Sequence, residues 1–401
     1  EPPCSRMEAT LPQADKGLTS PRKGVKSMKA VAIVPGTSNL ELIEIDPPTI
    51  TSPTQALVQT MQVGVCGTDR AIARGEEGKA PPGASRLILG HEMLGRVAQV
   101  GPGVRSLKTG DLVVATVRRG CGQCVSCQQG RIDLCYTGLY RERGIHEENG
   151  FMTQWIVEDE VNLVAVPQRL ARVGVLIETL STVEKGVGTA LTFQRRVLPP
   201  CGHPEHGYDS PNWGIHKRAL VAGSGPVGIL AAFILRAHGA ETYAIATQPP
   251  HSAKGRLIEE IGGHYISMAE TSFQELKARV GPVDLVLDAT GSPQVPFALV
   301  PLLGRNGVMA LMGTPTGARE VALDGATMVR EMVMGNQAIL GSVYAGLQHF
   351  QAAVEDMALF KELFGNAIDR VITHTYPLEQ FQEPIQRPPA DGIKTVLEIA
   401  T

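Results

Sequence analysis

Over roughly the first 185 residues, apolar positions come in short β-rich runs, Lys29–Val34 and Ala56–Val65 among them, set between Gly and Pro turns. That pattern predicts an all-β or mixed domain. It changes near residue 185. From Ala219 onward, strand-like runs (Ala219–Ala222, Thr242–Ala246, Val283–Asp288 and Gly307–Met312) alternate with amphipathic helical stretches, as in a parallel sheet built from βαβ units. Between the two patterns, Arg195–Arg218 is rich in Pro, Gly and His and reads as a loop, a candidate insertion. Beyond about residue 340 the β/α rhythm fades, and the apolar run Lys394–Ala400 is expected to rejoin the first domain. The expected organisation is a disordered tail at 1–27, a β-rich domain at 28–187 to which 345–401 returns, and a doubly wound domain at 188–344.

Length agrees with this division, because 401 residues exceed what one hydrophobic core usually serves. Hydrophobic residues make up 43% and charged residues 19%, which places the bulk of the chain among folded globular proteins. Lys and Arg total 37 against 40 Asp and Glu, with no long run of either sign, so no nucleic-acid footprint is expected. No apolar stretch reaches the roughly 18 residues that cross a bilayer; even Ala219–Ala240 is broken by glycines, Pro226, Arg236 and His238. The segment Glu1–Ser27 is basic and Pro-containing but lacks the apolar core of a secretory signal. Four of the seven cysteines crowd into Cys121–Cys135, which fits metal binding in a reducing cytoplasm better than a disulfide framework.

Three motifs carry chemistry. Cys121, Cys124, Cys127 and Cys135 stand in a Gly-rich loop at a spacing that lets four thiolates converge on one structural Zn²⁺, with an iron–sulfur cluster as the competing metal reading. Ala219–Ala222 runs into Gly223-Ser-Gly225-Pro226-Val227-Gly228 and a helix, the context in which such glycines cradle a pyrophosphate. After the next strand comes Thr247-Gln248-Pro249. No carboxylate there repels a 2′-phosphate and no arginine attracts one, so NADP and NAD both remain open. The third motif pairs Cys66-Gly-Thr68-Asp69 with Gly90-His91-Glu92. Thiolate and imidazole suit a catalytic Zn²⁺, although a lone Cys and a lone His are more often core residues. A further group, Cys201, His203, Glu205 and His206, has ligand chemistry but sits in a Pro- and Gly-rich loop without rigid support, so it reads as incidental.

The order of Val63-Gly-Val-Cys66-Gly-Thr-Asp69, Leu89-Gly-His91-Glu92, Gly110-Asp111, the cysteine lobe and the Gly223 turn resembles the zinc-containing medium-chain dehydrogenases. Arg118-Arg-Gly-Cys121-Gly, Gly144-Ile-His146, Asn149-Gly-Phe-Met152 and Leu176-Ile-Glu178 are similar to their glucose dehydrogenase branch. The resemblance implies a GroES-like β-rich catalytic domain plus a Rossmann doubly wound sheet. It also implies two zinc ions per chain, NADP or NAD, and a homodimer or homotetramer. By that similarity Cys66, His91, Glu92 and Glu178 would form the shell of the catalytic zinc. Thr68 would hold the substrate hydroxyl and relay its proton, while Asp69 would orient His91. A relay histidine often found at the position of Ala71 is missing, which leaves the last step to water.

Substrate identity is less sharply implied. Glu142 matches an acidic residue that binds sugar hydroxyls, whereas Val117 and Tyr344 replace asparagines of the family pattern and Met334 stands where sugar-oxidising relatives often carry histidine. Lost hydrogen-bonding groups relax discrimination, so a sugar, a polyol or a secondary alcohol all fit. A zinc-free quinone or enoyl reductase, or a cofactor-binding protein without turnover, are the rival readings. The expected partner is a small molecule, with no nucleic acid and no membrane.

Overall fold

The computed structural model describes residues 27–198, 201–315 and 319–399; apart from Ser27, the expected tail lies outside them. Six strands form a parallel sheet in the spatial order His264–Ser267, Glu241–Ala246, Arg218–Ala222, Val283–Asp288, Leu303–Leu311, Ala338–Gly341. Numbered along the chain this is 3-2-1-4-5-6, the doubly wound order, whose switch point lies between the first and fourth strands. Both faces are covered, so the central strands read as continuous apolar runs: Ala219–Ala222 and Leu285–Leu287 are all buried.

The other large sheet is mainly antiparallel and runs Leu163–Val166, Leu112–Ala115, Glu92–Val100, Gln55–Val65, Lys394–Glu398, Ile372–Pro377, with Trp155–Asp159 also paired to Gln55–Val65. The final strand thus lies against a strand from the first 65 residues, with Thr395 opposite Val65. A helix, Ile177–Gln194, runs unbroken through the expected boundary at 187/188. It packs on the helix Leu347–Phe364, on Leu303–Leu311 and on Glu92–Val100, so one hydrophobic cluster extends from Leu94 and Leu112 to Phe233 and Phe360. The long helix Leu347–Phe364 lies beyond residue 340, where the sequence shows the β/α rhythm fading. Its buried Phe350, Ala353, Met357 and Phe360 fall on one face at helical spacing. None of the described helices is long and apolar enough to cross a membrane.

A buried ion network locks the strand Trp155–Asp159 to the small sheet that carries Arg118–Arg119 and Arg141–Arg143. Glu158 Oε2 accepts from Arg119 Nη2 and from Arg143 Nε and Nη2 (3.1 and 2.7 Å), while Oε1 accepts from Asn162 Nδ2 (2.7 Å). Burial raises the Glu158 carboxyl, but the two guanidinium groups outweigh it and hold it down at about 2. Removing one partner strands the others' charge in the interior. Glu158→Gln is therefore expected to cost about 3 kcal/mol in denaturant unfolding at neutral pH. Because the folded carboxyl titrates below the unfolded one, this contribution is complete above the ordinary value of 4.5 and is lost as pH falls toward 2; the variant's deficit should shrink over that window.

Candidate metal and dinucleotide site

At the carboxyl end of Arg218–Ala222 the chain turns through Gly223 (φ 103°), where a Cβ would stand 3.0 Å from the Ala289 carbonyl oxygen. Gly228 closes the helix Pro226–Ala237 onto the turn, since a Cβ there would overlap the Gly223 carbonyl. Gly225, by contrast, faces open space, and the helix starts without a side-chain cap, leaving its first amides directed at the turn. Pro226 sits in the first helical turn, where its missing N–H costs nothing. Val227 is half-buried against the large core. After the neighbouring strand, Thr247 is exposed, and Gln248 is fixed by Ser224 Oγ, which donates to Oε1 (2.9 Å), and by Tyr265, whose hydroxyl donates to its carbonyl (2.9 Å).

Across the chain, the strand Gln55–Val65 delivers Cys66 as the N-cap of a short helix, Gly67–Ala73. The loop before Glu92–Val100 delivers His91. Cys66 Sγ lies 3.0 Å from His91 Nε2, and the ligand atoms of Cys66, His91 and Glu92 are all within 4.8 Å of one another. The Thr68 amide donates to the Cys66 sulfur (3.2 Å). Asp69 is buried; its Oδ2 accepts from the Cys66 amide (2.9 Å), and Oδ1 faces His91 Nδ1 at 3.5 Å. At 3.5 Å the His91–Asp69 contact is an electrostatic pairing rather than a formed hydrogen bond. Burial disfavours a charged imidazole, yet Cys66 and Asp69 on either side hold His91 well above its ordinary value. The cluster therefore draws positive charge between a thiolate and carboxylates, as a Zn²⁺ site would.

Glu178, also buried, stands outside the 4.8 Å group, and burial together with the charge of Glu92 pushes its carboxyl up to about 7. Lys394 was not singled out in the sequence. From the final strand its ammonium reaches Glu92 Oε2 and lies 3.4 Å from Thr179 Oγ1, wholly buried. Gly64 makes the room, because any Cβ there would overlap both Glu92 and the Lys394 side chain. A lysine in a terminal strand carries no signature in sequence, so only pairing of distant strands reveals it.

The second cluster fits a metal equally well. The four sulfurs of Cys121, Cys124, Cys127 and Cys135 lie within 4.8 Å of one another. A hydrogen bond from Thr137, with others from the amides of Cys124 and Gln123, brings Cys121 down to about 6, while burial among the other thiols raises Cys127 to about 12. A central cation removes that conflict. Gly120 admits the Cys127 sulfur, which would stand 2.5 Å from any Cβ. Buried Asp133 anchors the lobe, accepting from Arg131 (3.1 and 3.0 Å) and from Lys185 on the long helix (3.1 Å).

Glu142 and Tyr344 do come together, around a residue whose side chain the sequence left unremarked. The Arg118 guanidinium lies between the rings of Tyr140 and Tyr344, 3.7 and 3.3 Å from their centroids, and donates to Glu142 Oε1 through Nε and Nη2 (3.1 and 3.0 Å). Tyr344 adopts a left-handed backbone (φ 62°). Val117 packs against the large core instead, and Met334 is 73% exposed on the helix Gly325–Gly335. Gly144, two residues beyond Glu142, packs directly on Gly90 beside His91, where any Cβ would overlap the Gly90 carbonyl oxygen, and this contact places the arginine cage next to the Cys66–His91 region.

Residues 52–168 match the alcohol dehydrogenase GroES-like domain, and residues 171–399 match the glucose dehydrogenase C-terminus. The chain is 37% identical to glucose 1-dehydrogenase of Methanocella arvoryzae and 40% identical to glucose 1-dehydrogenase 1 of Caldivirga maquilingensis, in each case over 93% of this chain and 99% of the relative. The structure superposes on Haloferax mediterranei glucose dehydrogenase, solved with NADP, Zn and gluconolactone, with a TM-score of 0.82 at 31% identity over 93% of this chain and 100% of that one. A chain with a cysteine–histidine cluster, a four-cysteine lobe, a glycine turn on a doubly wound sheet and these relatives belongs to the glucose dehydrogenase family of zinc-containing medium-chain dehydrogenases.

Proposed function

We propose that this chain is a zinc-dependent NAD(P) dehydrogenase that oxidises the anomeric hydroxyl of a cyclic aldose to a lactone, with hydride passing to the nicotinamide. The observation that carries the reading is the buried Cys66–His91–Glu92 group, backed by Asp69 and neighboured by the Glu142–Arg118 pair. Held by Cys66, His91 and Glu92, zinc would supply Lewis acidity to a sugar oxygen, and the nicotinamide would accept the hydride. Asp69 fixes the His91 ring through Nδ1, so that Nε2 faces the cluster. Thr68 stands beside the sulfur with its hydroxyl free of protein partners among the described residues, and it takes up the substrate's proton and passes it to water. Lys394 balances the charge of the buried Glu92 carboxylate. Both Arg118 hydrogen bonds fall on Glu142 Oε1, which leaves Oε2 to accept from a sugar hydroxyl.

Gly225 gives a dinucleotide pyrophosphate close access to the helix amides, and Ser224 with Gln248 stands where the adenosine ribose would lie. Without a carboxylate at Thr247–Gln248, NADP is accepted as well as NAD. Cys121, Cys124, Cys127 and Cys135 would hold a second, structural zinc. The open edge strand Ala338–Gly341 and the exposed Val329, Val333 and Met334 on the adjacent helix provide a face for a second copy of the chain.

Cofactor reduction assayed with NADP and NAD over aldoses, polyols and simple alcohols should favour aldoses, vanish when zinc is removed and return with zinc. Turnover that persists after both zinc ions are demonstrably gone would sink the reading. Glu142→Gln should lower kcat/KM for aldoses by about 10- to 100-fold, the worth of one charge-assisted hydrogen bond, while sparing simple alcohols. Gln248→Asp should cut NADP efficiency by at least about tenfold through repulsion of the 2′-phosphate, with NAD turnover retained. Light scattering is expected to give a dimer or tetramer mass.

A further inference from the structure

The segment between the helix ending at Gln194 and the strand beginning at Arg218 contains one 3-10 turn, Pro204–His206, and contributes a single buried apolar side chain, Trp213, among its described residues. Leu198 is 87% exposed. Its other attachments are few. Tyr208 packs half-buried on the large core beneath Lys217 (4.5 Å), Asp209 accepts from Arg195 at the surface, Trp213 stacks on His238 (5.2 Å, 23°), and the Pro211 carbonyl meets His238 Nδ1. So little apolar burial does not by itself order a segment of this length.

We propose that Cys201, His206 and His216 bind a third metal ion, a zinc that staples this segment shut. Their ligand atoms all lie within 4.8 Å of one another, and Cys201 Sγ stands 3.0 Å from His206 Nδ1. That matches the 3.0 Å between Cys66 Sγ and His91 Nε2. Around a tetrahedral zinc, a thiolate sulfur and an imidazole nitrogen stand about 3.5 Å apart, so a small adjustment seats the ion.

His216, third in the Cys-x4-His-x9-His spacing, adopts a left-handed backbone (φ 69°) that brings its ring to 5.1 Å from that of His206. Left-handed backbone is unfavourable for a residue with a side chain, and the His216 ring, though exposed, is turned toward the other two ligands rather than away from them. Ligation supplies the compensation. One thiolate with two imidazoles is a zinc set, and the fourth position is left to water or to His203, whose ring stands 5.3 Å from His206. In the sequence this cysteine and its neighbours read as incidental, because a Pro- and Gly-rich loop offers no rigid support. The fold supplies that support through His216, ten positions further on, at the point where the chain enters the sheet.

The position makes the role structural. Gly214 donates to the His238 carbonyl (2.9 Å) and the Lys217 carbonyl accepts from Glu241 (2.9 Å), so the segment joins the amino end of Arg218–Ala222. The Gly223 turn lies at the opposite end, about 16 Å away for five residues.

The test compares zinc per chain, by elemental analysis after dialysis against metal-free buffer, in the zinc-loaded full chain and in its Cys201→Ala/His206→Ala variant. The variant should hold one zinc fewer, with unchanged aldose turnover and a lower Tm. Equal zinc content would overturn the proposal, whatever the occupancy of the other two clusters. Should the variant not fold, alkylation of the zinc-loaded wild-type chain decides. Peptide mapping after iodoacetamide should find Cys201 protected until a chelator is added, alongside Cys121, Cys124, Cys127 and Cys135, whereas immediate labelling of Cys201 would overturn it.

Discussion

The Lys394 ammonium lies against the Glu92 carboxylate in the interior of the larger sheet, both side chains almost entirely withdrawn from solvent. Burial pushes the ammonium toward neutrality, but Glu92, Cys66 and Glu178 outweigh it and hold Lys394 above its ordinary value. An unpaired charge at that depth costs several kcal/mol, so neither residue tolerates the absence of the other. Lys394 belongs to the last strand and Glu92 follows His91. The pairing therefore holds the end of the chain in register beside Gln55–Val65, the strand that leads into Cys66. Gly64 is the steric condition for it. Closing the sheet and assembling the metal cluster are thus one event.

The same economy recurs at the cysteine lobe, which buries little apolar surface of its own, since Val125, Leu134, Tyr136 and Leu139 are exposed. Asp133 reaches from the lobe to Lys185 on the long helix, and that helix also carries Glu178 and packs against the parallel sheet. A rigid element shared by both halves keeps the lobe, the Cys66–His91 cluster and the nucleotide-binding turn in a fixed relation. Flexibility is correspondingly scarce around the chemistry: Asp69 holds His91, and Arg118 is clamped between two rings.

Sugar recognition looks different in the folded molecule than from isolated positions. Val117 and Tyr344 read as losses of hydrogen-bonding groups, yet Val117 packs into the core, and the ring of Tyr344 faces the guanidinium that engages Glu142. The rings of Tyr140 and Tyr344 clamp Arg118, and the arginine in turn fixes one oxygen of the Glu142 carboxylate.

What the sequence alone determined were the features written in local spacing: the four cysteines, the glycine turn between a strand and a helix, the alternation of a parallel sheet, and the cysteine that follows one buried strand and the histidine that precedes another. Each is set by chain geometry over a few residues, so its period survives in one dimension. The helix Leu347–Phe364 escaped that reading, although its buried Phe350, Ala353, Met357 and Phe360 stand at helical spacing, because no strand follows it closely enough to mark a β/α unit. Only the tertiary structure decided that Lys394 neutralises Glu92, that Arg118 links Glu142 to Tyr344, and that His216 turns back to meet Cys201 and His206. Those contacts join residues far apart in the chain, and their energy comes from burial and desolvation that no local pattern encodes.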